Sequence, residues 1–305
     1  MNNIRFLKRS EINDLQWNEL INQSVNSLPY ALSWYLDAVA ENWGALVLNN
    51  YQAVMPVVWL TKLGVKCLYQ PYYCQQLGVF SSGVLAKDLQ KDFLKAAADK
   101  FPYVNMNLNA GSIVVANEAG LNPKKNLLLS LNKNYDEIFQ HFNQNHKRNI
   151  AKGSKNKLRF FEDTDLTSFQ AFYLGNVNHA KENFRPQHEK IFKKLTATLV
   201  SANTGHIFSA ITAEGDLVAA VLIIKHHKRL IGIINTSSAE GKKAGASHFL
   251  FDRIIKKYAG TDVVLDFEGS SIPTIARFYE GFGAVEEVFF NYKTTVLRSI
   301  SKRFS

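Results

Sequence analysis

Apolar and polar positions along the chain alternate between two periods. Runs with period two predict strands, and apolar residues spaced by three and four predict amphipathic helices. In the first half, residues 3–8 read as a strand, and 11–23 and 33–41 as helices, the second opened by Ser33 after Pro29. Strands over 45–48 and 51–60 flank an Asn49-Asn50 turn, and another ends near Gln70, before Pro71. A helix over 87–100 and strands near 103–108 and 126–131 complete this half. Residues 134–152 read as one amphipathic helix, with Phe139, Phe142, His146 and Ile150 on its apolar face.

The second half continues with a strand over 157–162, helices over 165–182 and 187–202, and strands over 206–212, 217–226 and 230–235. A helix over 245–258 carries Phe249, Leu250, Ile254 and Tyr258 inward. A strand over 263–267 follows, then a helix over 273–282 opened by Pro273, then a last strand or strand pair over 285–296. The resulting order, β-α-α-β-β-β-α-β-α-β, predicts a mixed α/β fold with central hairpins. The first half runs through a similar order, so a duplicated fold is expected.

With 305 residues, two domains are expected. The boundary is placed around the 134–152 helix: an N-terminal domain over 1–133, a connecting helix and linker over 134–156, and a C-terminal domain over 157–305. The N-terminal residues lack the pattern of a secretory signal. The longest purely apolar run, 217–224, is eight residues, against about 20 for a membrane span. Cys67 and Cys74 are the two cysteines and read as reduced thiols of a cytoplasmic protein, with a disulfide as the alternative. No ligand cluster suits a metal, and no nucleophile elbow is present.

The net charge is +10, from 36 basic and 26 acidic residues. It favours an anionic partner. Six of the basic residues, Lys147, Arg148, Lys152, Lys155, Lys157 and Arg159, fall in one acid-free window. Such a run suits a phosphate-bearing partner, with Lys147 and Arg148 the first candidates, or a solvated helix face. Its position predicts an anion-binding cleft at the domain junction.

Two further segments carry candidate chemistry. Lys242-Lys243-Ala244-Gly245-Ala246-Ser247 lies between a strand and a helix, where glycine and unpaired helix N–H groups admit a phosphate closely. Leu265-Asp266-Phe267-Glu268-Gly269-Ser270 leads into Ala276-Arg277-Phe278-Tyr279-Glu280-Gly281-Phe282-Gly283. The first resembles the pyrophosphate loop of GNAT acyltransferases, with Lys242 and Ser247 departing from its usual residues. The second resembles their last strand–helix unit. With the segment from Asn145 to Ile150, the whole chain is similar to FemA/FemB-like proteins, which carry two GNAT-like domains.

That resemblance implies tandem GNAT-like (acyl-CoA N-acyltransferase) domains and an acyl- or aminoacyltransferase. The donor would be acyl-CoA or aminoacyl-tRNA, and the acceptor an amine, a cell-wall peptide precursor among the candidates. The helical coiled-coil arm of several Fem enzymes has no counterpart here. In the implied site, Lys242, Lys243, Gly245 and Ala246 hold the donor phosphates. Glu268 takes a proton from the amine, with Asp266 as the other carboxylate, and Tyr279 protonates the leaving group.

Strand alternation places Asp266 and Glu268 on one face. Asp266 can equally cap the following turn or pair with Arg277, and Tyr279 can equally be a core aromatic. In the first half, Tyr73, Gln75 and Gln76 suit a peptide-like substrate or a buried turn. The competing functional expectation is a catalytically silent module of the same shape that binds RNA or an anionic cell-wall precursor.

Overall fold

The computed structural model describes residues 3–112, 120–162, 165–177, 184–268 and 272–295. The end of the helix expected over 165–182, Gly269 and Ser270 of the second motif, and residue 296 lie outside them. The chain divides into two compact units. One comprises Met1–Lys124 with Val288–Ser305, the other Lys125–Glu287.

The first unit runs β1 (Ile4–Lys8), α1 (Asp14–Gln23), α2 (Ser33–Val39), β2 (Trp43–Leu48), β3 (Ala53–Lys62), β4 (Val65–Tyr69), β5 (Phe80–Ser81), α3 (Lys87–Lys100) and β6 (Tyr103–Asn107). The second continues through β7 (Leu121–Ser130), α4 (Tyr135–Gln140), α5 (Gln144–Lys155), β8 (Arg159–Phe161), α6 (Leu166–Asn176), α7 (Pro186–Ser201), β9 (Gly205–Ile211), β10 (Leu217–His226) and β11 (Arg229–Ser237). It closes with α8 (Ala239–Ala244), α9 (Ala246–Tyr258), β12 (Val264–Asp266), α10 (Pro273–Glu280) and β13 (Val285–Thr295). The division falls within β7 and within β13.

The two units repeat one topology. In the first the strand order is β1-β2-β3-β4-β6-β13, with β4 and β6 parallel and the other neighbours antiparallel. In the second it is β8-β9-β10-β11-β12-β7, with β11 and β12 parallel. A parallel pair needs a crossover, and a helix supplies it in each case: α3 between β4 and β6, α9 between β11 and β12. The sixth strand of each unit is taken out of simple chain order. β13 pairs with β6 in the register Asn291↔Asn107, far apart in sequence. The expected duplicated mixed α/β fold is present.

The segment expected to be a connector is part of the second unit. Instead of one helix over 134–152 there are two, α4 and α5. Asn143 breaks them: its side chain accepts the His146 N–H at 2.8 Å and caps α5. Local bonding by asparagine competes with continuing a helix. Ile138, Phe142 and Ile150 from this pair join the core with Leu250, Ile254, Phe267 and Phe282. Ser33 begins α2 as a helical residue, with Leu32 at the cap. Both cysteines are free, Cys74 buried. No helix among the described residues is long and apolar enough to cross a membrane.

Candidate functional site

The second unit contains a cleft of about 610 Å³. Its position follows from the sheet. The parallel ladder between β11 and β12 covers only Arg229–Ile231 and Val264–Asp266, while β11 runs on to Ser237. Among the described residues, no strand pairs with that side of β11 beyond Ile231. The opening is walled by Gly232, Asn235, Thr236 and Ser237 from β11 and by Phe267 and Glu268 after β12. Tyr173, Asn176 and Val177 at the end of α6, the start of α9 and the inner face of α10 line it as well.

The loop expected between β11 and α9 is itself a short helix, α8. The Ser238 side chain accepts the Gly241 N–H at 3.0 Å and caps it. A β-carbon at Gly241 would lie 2.0 Å from the Val218 carbonyl oxygen, so only glycine lets this turn sit on β10. Gly245, at φ +79°, ends α8 and begins α9. A β-carbon there would approach the Asn149 carbonyl oxygen to 2.5 Å.

Lys242 and Lys243 thus occupy the last turn of α8, where the helix dipole favours cations. Lys242, Gly245, Ala246 and Ser247 line the cleft, and Lys243 is not among its lining residues. The first N–H groups of a helix lack i−4 partners within it, and at the start of α9 such groups face the cleft side where an anion can use them.

The carboxylates separate. Strand alternation stops at Asp266, because Glu268 adopts φ +48°, a left-handed conformation uncommon for a residue with a side chain. The turn sends Phe267 and Glu268 both to the cleft. Asp266 is 1% exposed and points elsewhere, correcting the expectation that the two share a face. Asp266 accepts from Arg229 Nη1 at 2.8 Å and from the Glu268 backbone N–H at 3.1 Å. It therefore caps the turn, and its cation is Arg229; Arg277 Nε reaches the Pro273 carbonyl instead. These partners fit Asp266 to a structural role, not to contact with a reacting group. Burial pushes the Glu268 carboxyl up to about 8.

Tyr279 reaches the same cleft from α10. Its ring stacks on Phe267 with centroids 4.5 Å apart, and its side chain hydrogen-bonds Asn235. Burial, with the nearby Glu268 and Asp266 carboxyls, pushes its phenol up to about 12 despite the Asn235 bond. Tyr279 is thus both a core aromatic and a cleft residue.

Sequence reasoning passed over His248, whose ring lies edge-on to His146 at 4.6 Å. Burial, then the neighbouring His146, pushes His248 down to about 4, so it lines the cleft as a neutral ring. Asn235-Thr236-Ser237 was a readable signal: the apolar strand turns polar where it leaves its partner.

The remaining candidates are not among the residues that line this cleft. Lys147 and Arg148 are on α5; Lys147 Nζ donates to the Gln140 carbonyl at 3.2 Å and sits over the Phe139 ring. Tyr73, Gln75 and Gln76 belong to the first unit. The Tyr73 carbonyl accepts from the Tyr35 hydroxyl. Gln76 is buried; its Oε1 accepts the Ala110 N–H at 2.8 Å and its Nε2 donates to Gln75 Oε1 at 2.9 Å. These bonds describe a satisfied turn.

Residues 140–271 match the family model of the acetyltransferase (GNAT) domain. No curated protein shows significant sequence similarity to the chain. Among solved structures, FemX superposes with a TM-score of 0.64 at 12% identity, covering 93% of this chain and 96% of FemX. A conserved protein of unknown function from Bacteroides thetaiotaomicron gives 0.61 at 10% identity, covering 96% and 100%. The C-terminal domain of a putative lysylphosphatidylglycerol synthetase from Agrobacterium fabrum gives 0.57 at 12%, covering 92% and 91%. The likeness of fold to these structures spans both units and extends beyond residues 140–271, which contain the cleft wall from β11 to Glu268.

Proposed function

We propose that the cleft of the GNAT domain binds an activated acyl or aminoacyl donor and catalyses transfer of the acyl group to an amine. The observation that carries this reading is the convergence of Glu268 and Tyr279 on one cleft beside the first turn of α9. The amine nitrogen attacks the acyl carbonyl carbon, and a C–N bond forms. The proton it loses passes to the Glu268 carboxylate, directly or through water. The C–O or C–S bond to the carrier then breaks, and the leaving atom takes the Tyr279 hydroxyl proton. Proton return from Glu268 to Tyr279 resets the site.

A carboxyl titrating near 8 is a competent base at the pH where an amine is partly unprotonated, and holding both reactants in one cleft supplies the rest. The donor's phosphates would meet Lys242 and the N–H groups of Ala246 and Ser247. Acyl-CoA and aminoacyl-tRNA both carry adenosine and phosphate behind the reactive carbonyl. The FemAB-like fold supports the aminoacyl donor and a peptide amine as acceptor, in the manner the Fem resemblance implies. The fold also resembles that of a protein named for making lysylphosphatidylglycerol, which supports lysyl transfer. The exposed face of α5, with Arg148, Lys152 and Lys155, suits a polyanionic carrier.

Thermal-shift titrations with acetyl-CoA and with aminoacyl-tRNA test the reading. Stabilisation by one donor, reduced in Lys242→Ala, is expected. Stabilisation by neither contradicts it. For tRNA, binding that does not weaken with added salt removes that donor.

A further inference from the structure

Glu268 enters the cleft only because its backbone is held in the left-handed region at φ +48°, a conformation unfavourable for a residue with a β-carbon. Something must hold it there. Its N–H donates to Asp266 Oδ1 at 3.1 Å, closing a turn two residues long. The other oxygen of Asp266, Oδ2, is held by Arg229 Nη1 at 2.8 Å. The same guanidinium grips Glu287 through Nη2 at 3.0 Å and Nη1 at 3.3 Å. Asn126 joins the two carboxylates, donating to Glu287 Oε2 at 3.2 Å and hydrogen-bonding Asp266. A chain of charge-assisted bonds therefore runs from β13 through β11 to the one backbone amide that sets the direction of Glu268.

We propose that Arg229 is a positioning residue of the transfer reaction: by fixing Asp266 it locks the Glu268 turn and aims the Glu268 carboxyl into the cleft. The inference rests on the reading of Glu268 as the proton acceptor. The device needs the planar fork of arginine, because two carboxylates on different strands must be held by one cation in fixed directions. Lysine presents a point charge on a flexible stem and cannot reproduce both angles. Buried, Asp266 also needs that cation to remain ionised. The titratable and charged groups that share the cleft with Glu268 are Tyr279 on α10, His248 on α9 and Lys242 on α8, and behind its turn stand Asp266 and, through it, Arg229.

Hydrogen exchange in Arg229→Lys tests this without any substrate. The Glu268 amide is bonded to Asp266, whereas the neighbouring Phe267 amide donates to the Leu127 carbonyl in the sheet. Loss of the lock is expected to speed exchange at Glu268 about tenfold relative to Phe267, the scale of one net hydrogen bond. The carboxyl titration of Glu268, read by carbon NMR, is expected to fall from about 8 toward the ordinary carboxylate range. Unchanged exchange and titration, or equal acceleration at both amides, overturns the proposal. If Arg229→Lys does not fold, Glu287→Gln, which loosens the guanidinium while leaving Asp266 its cation, is read in the same way.

Full turnover in Glu268→Gln would remove the base and leave the exchange result standing. Loss of turnover there, with normal exchange in Arg229→Lys, would remove the positioning role alone.

Discussion

Gly281 lies directly against the imidazole of His146: a β-carbon on Gly281 would fall 2.1 Å from His146 Cε1. The contact joins two stretches that the sequence presents 135 residues apart, the start of α5 and the end of α10. His146 Nε2 donates to the Phe278 carbonyl at 2.7 Å, and the Asn143 N–H donates to the Gly281 carbonyl at 2.9 Å. His146 thereby acts as a buried strut that sets where α10, and with it Tyr279, stands.

Gly281→Ala follows from that contact. No rotation of the imidazole frees the space without breaking its bond to Phe278. The substitution is expected to destabilise the protein by about 1–3 kcal/mol, the scale of overpacking. Urea denaturation measures this, and an unchanged midpoint would contradict the close approach.

Tyr279→Phe separates the two roles of that residue. The ring keeps its stack on Phe267, so the melting temperature is expected to stay within a few degrees of the parent. Turnover is expected to fall about 100-fold, the scale of one lost general acid. A drop in stability with unchanged turnover would assign Tyr279 to packing alone.

Lys242 and Lys243 are adjacent and both exposed, yet only Lys242 borders the cleft. Lys242→Ala is expected to raise the donor KM about fivefold, consistent with one solvent-screened charge contact. Lys243→Ala is expected to leave it unchanged. Equal effects of the two would point to a diffuse field instead of a contact.

The raised Glu268 carboxyl makes a statement about stability as well. Its folded value, about 8, lies above the ordinary 4.5, so the folded chain holds this proton where the unfolded chain has lost it. Its contribution is complete below about 4.5 and is lost as the pH rises through about 8. His248 works in the opposite sense below about 6.5, because its folded value is about 4. Unfolding free energies between pH 6.5 and 8 therefore report on Glu268; above that range the buried Cys74 thiol, pushed above its ordinary value, contributes as well. The parent is expected to lose stability across that window relative to Glu268→Gln. Parallel curves would contradict the raised carboxyl.

Long periodic elements were legible in the sequence: α3 over 87–100 and β10 over 217–226 have the bounds their patterns predict. The apolar stripe of Phe142, His146 and Ile150 was read correctly, although a capping asparagine splits the helix that carries it. What was not legible depends on contacts remote in sequence. α8 is six residues long, and its glycine is explained only by Val218 on β10. The exchange of sixth strands rests on pairings such as Asn291 with Asn107. The direction of Glu268 contradicts strand alternation because one hydrogen bond to Asp266 outweighs it. Gln76, chosen as a substrate amide, is taken up by the Ala110 N–H, a partner no local pattern reveals.

The central claim is that Glu268 is the proton acceptor for acyl transfer in the cleft between β11 and β12. Turnover of Glu268→Gln with the donor that stabilises the parent protein, followed from pH 6 to 9, tests it most directly. Donor binding is expected to stay within about twofold, while turnover falls about 100-fold or more and lacks the rise through pH 8 expected of the parent. Parent-like turnover with the same rise through pH 8 would contradict it.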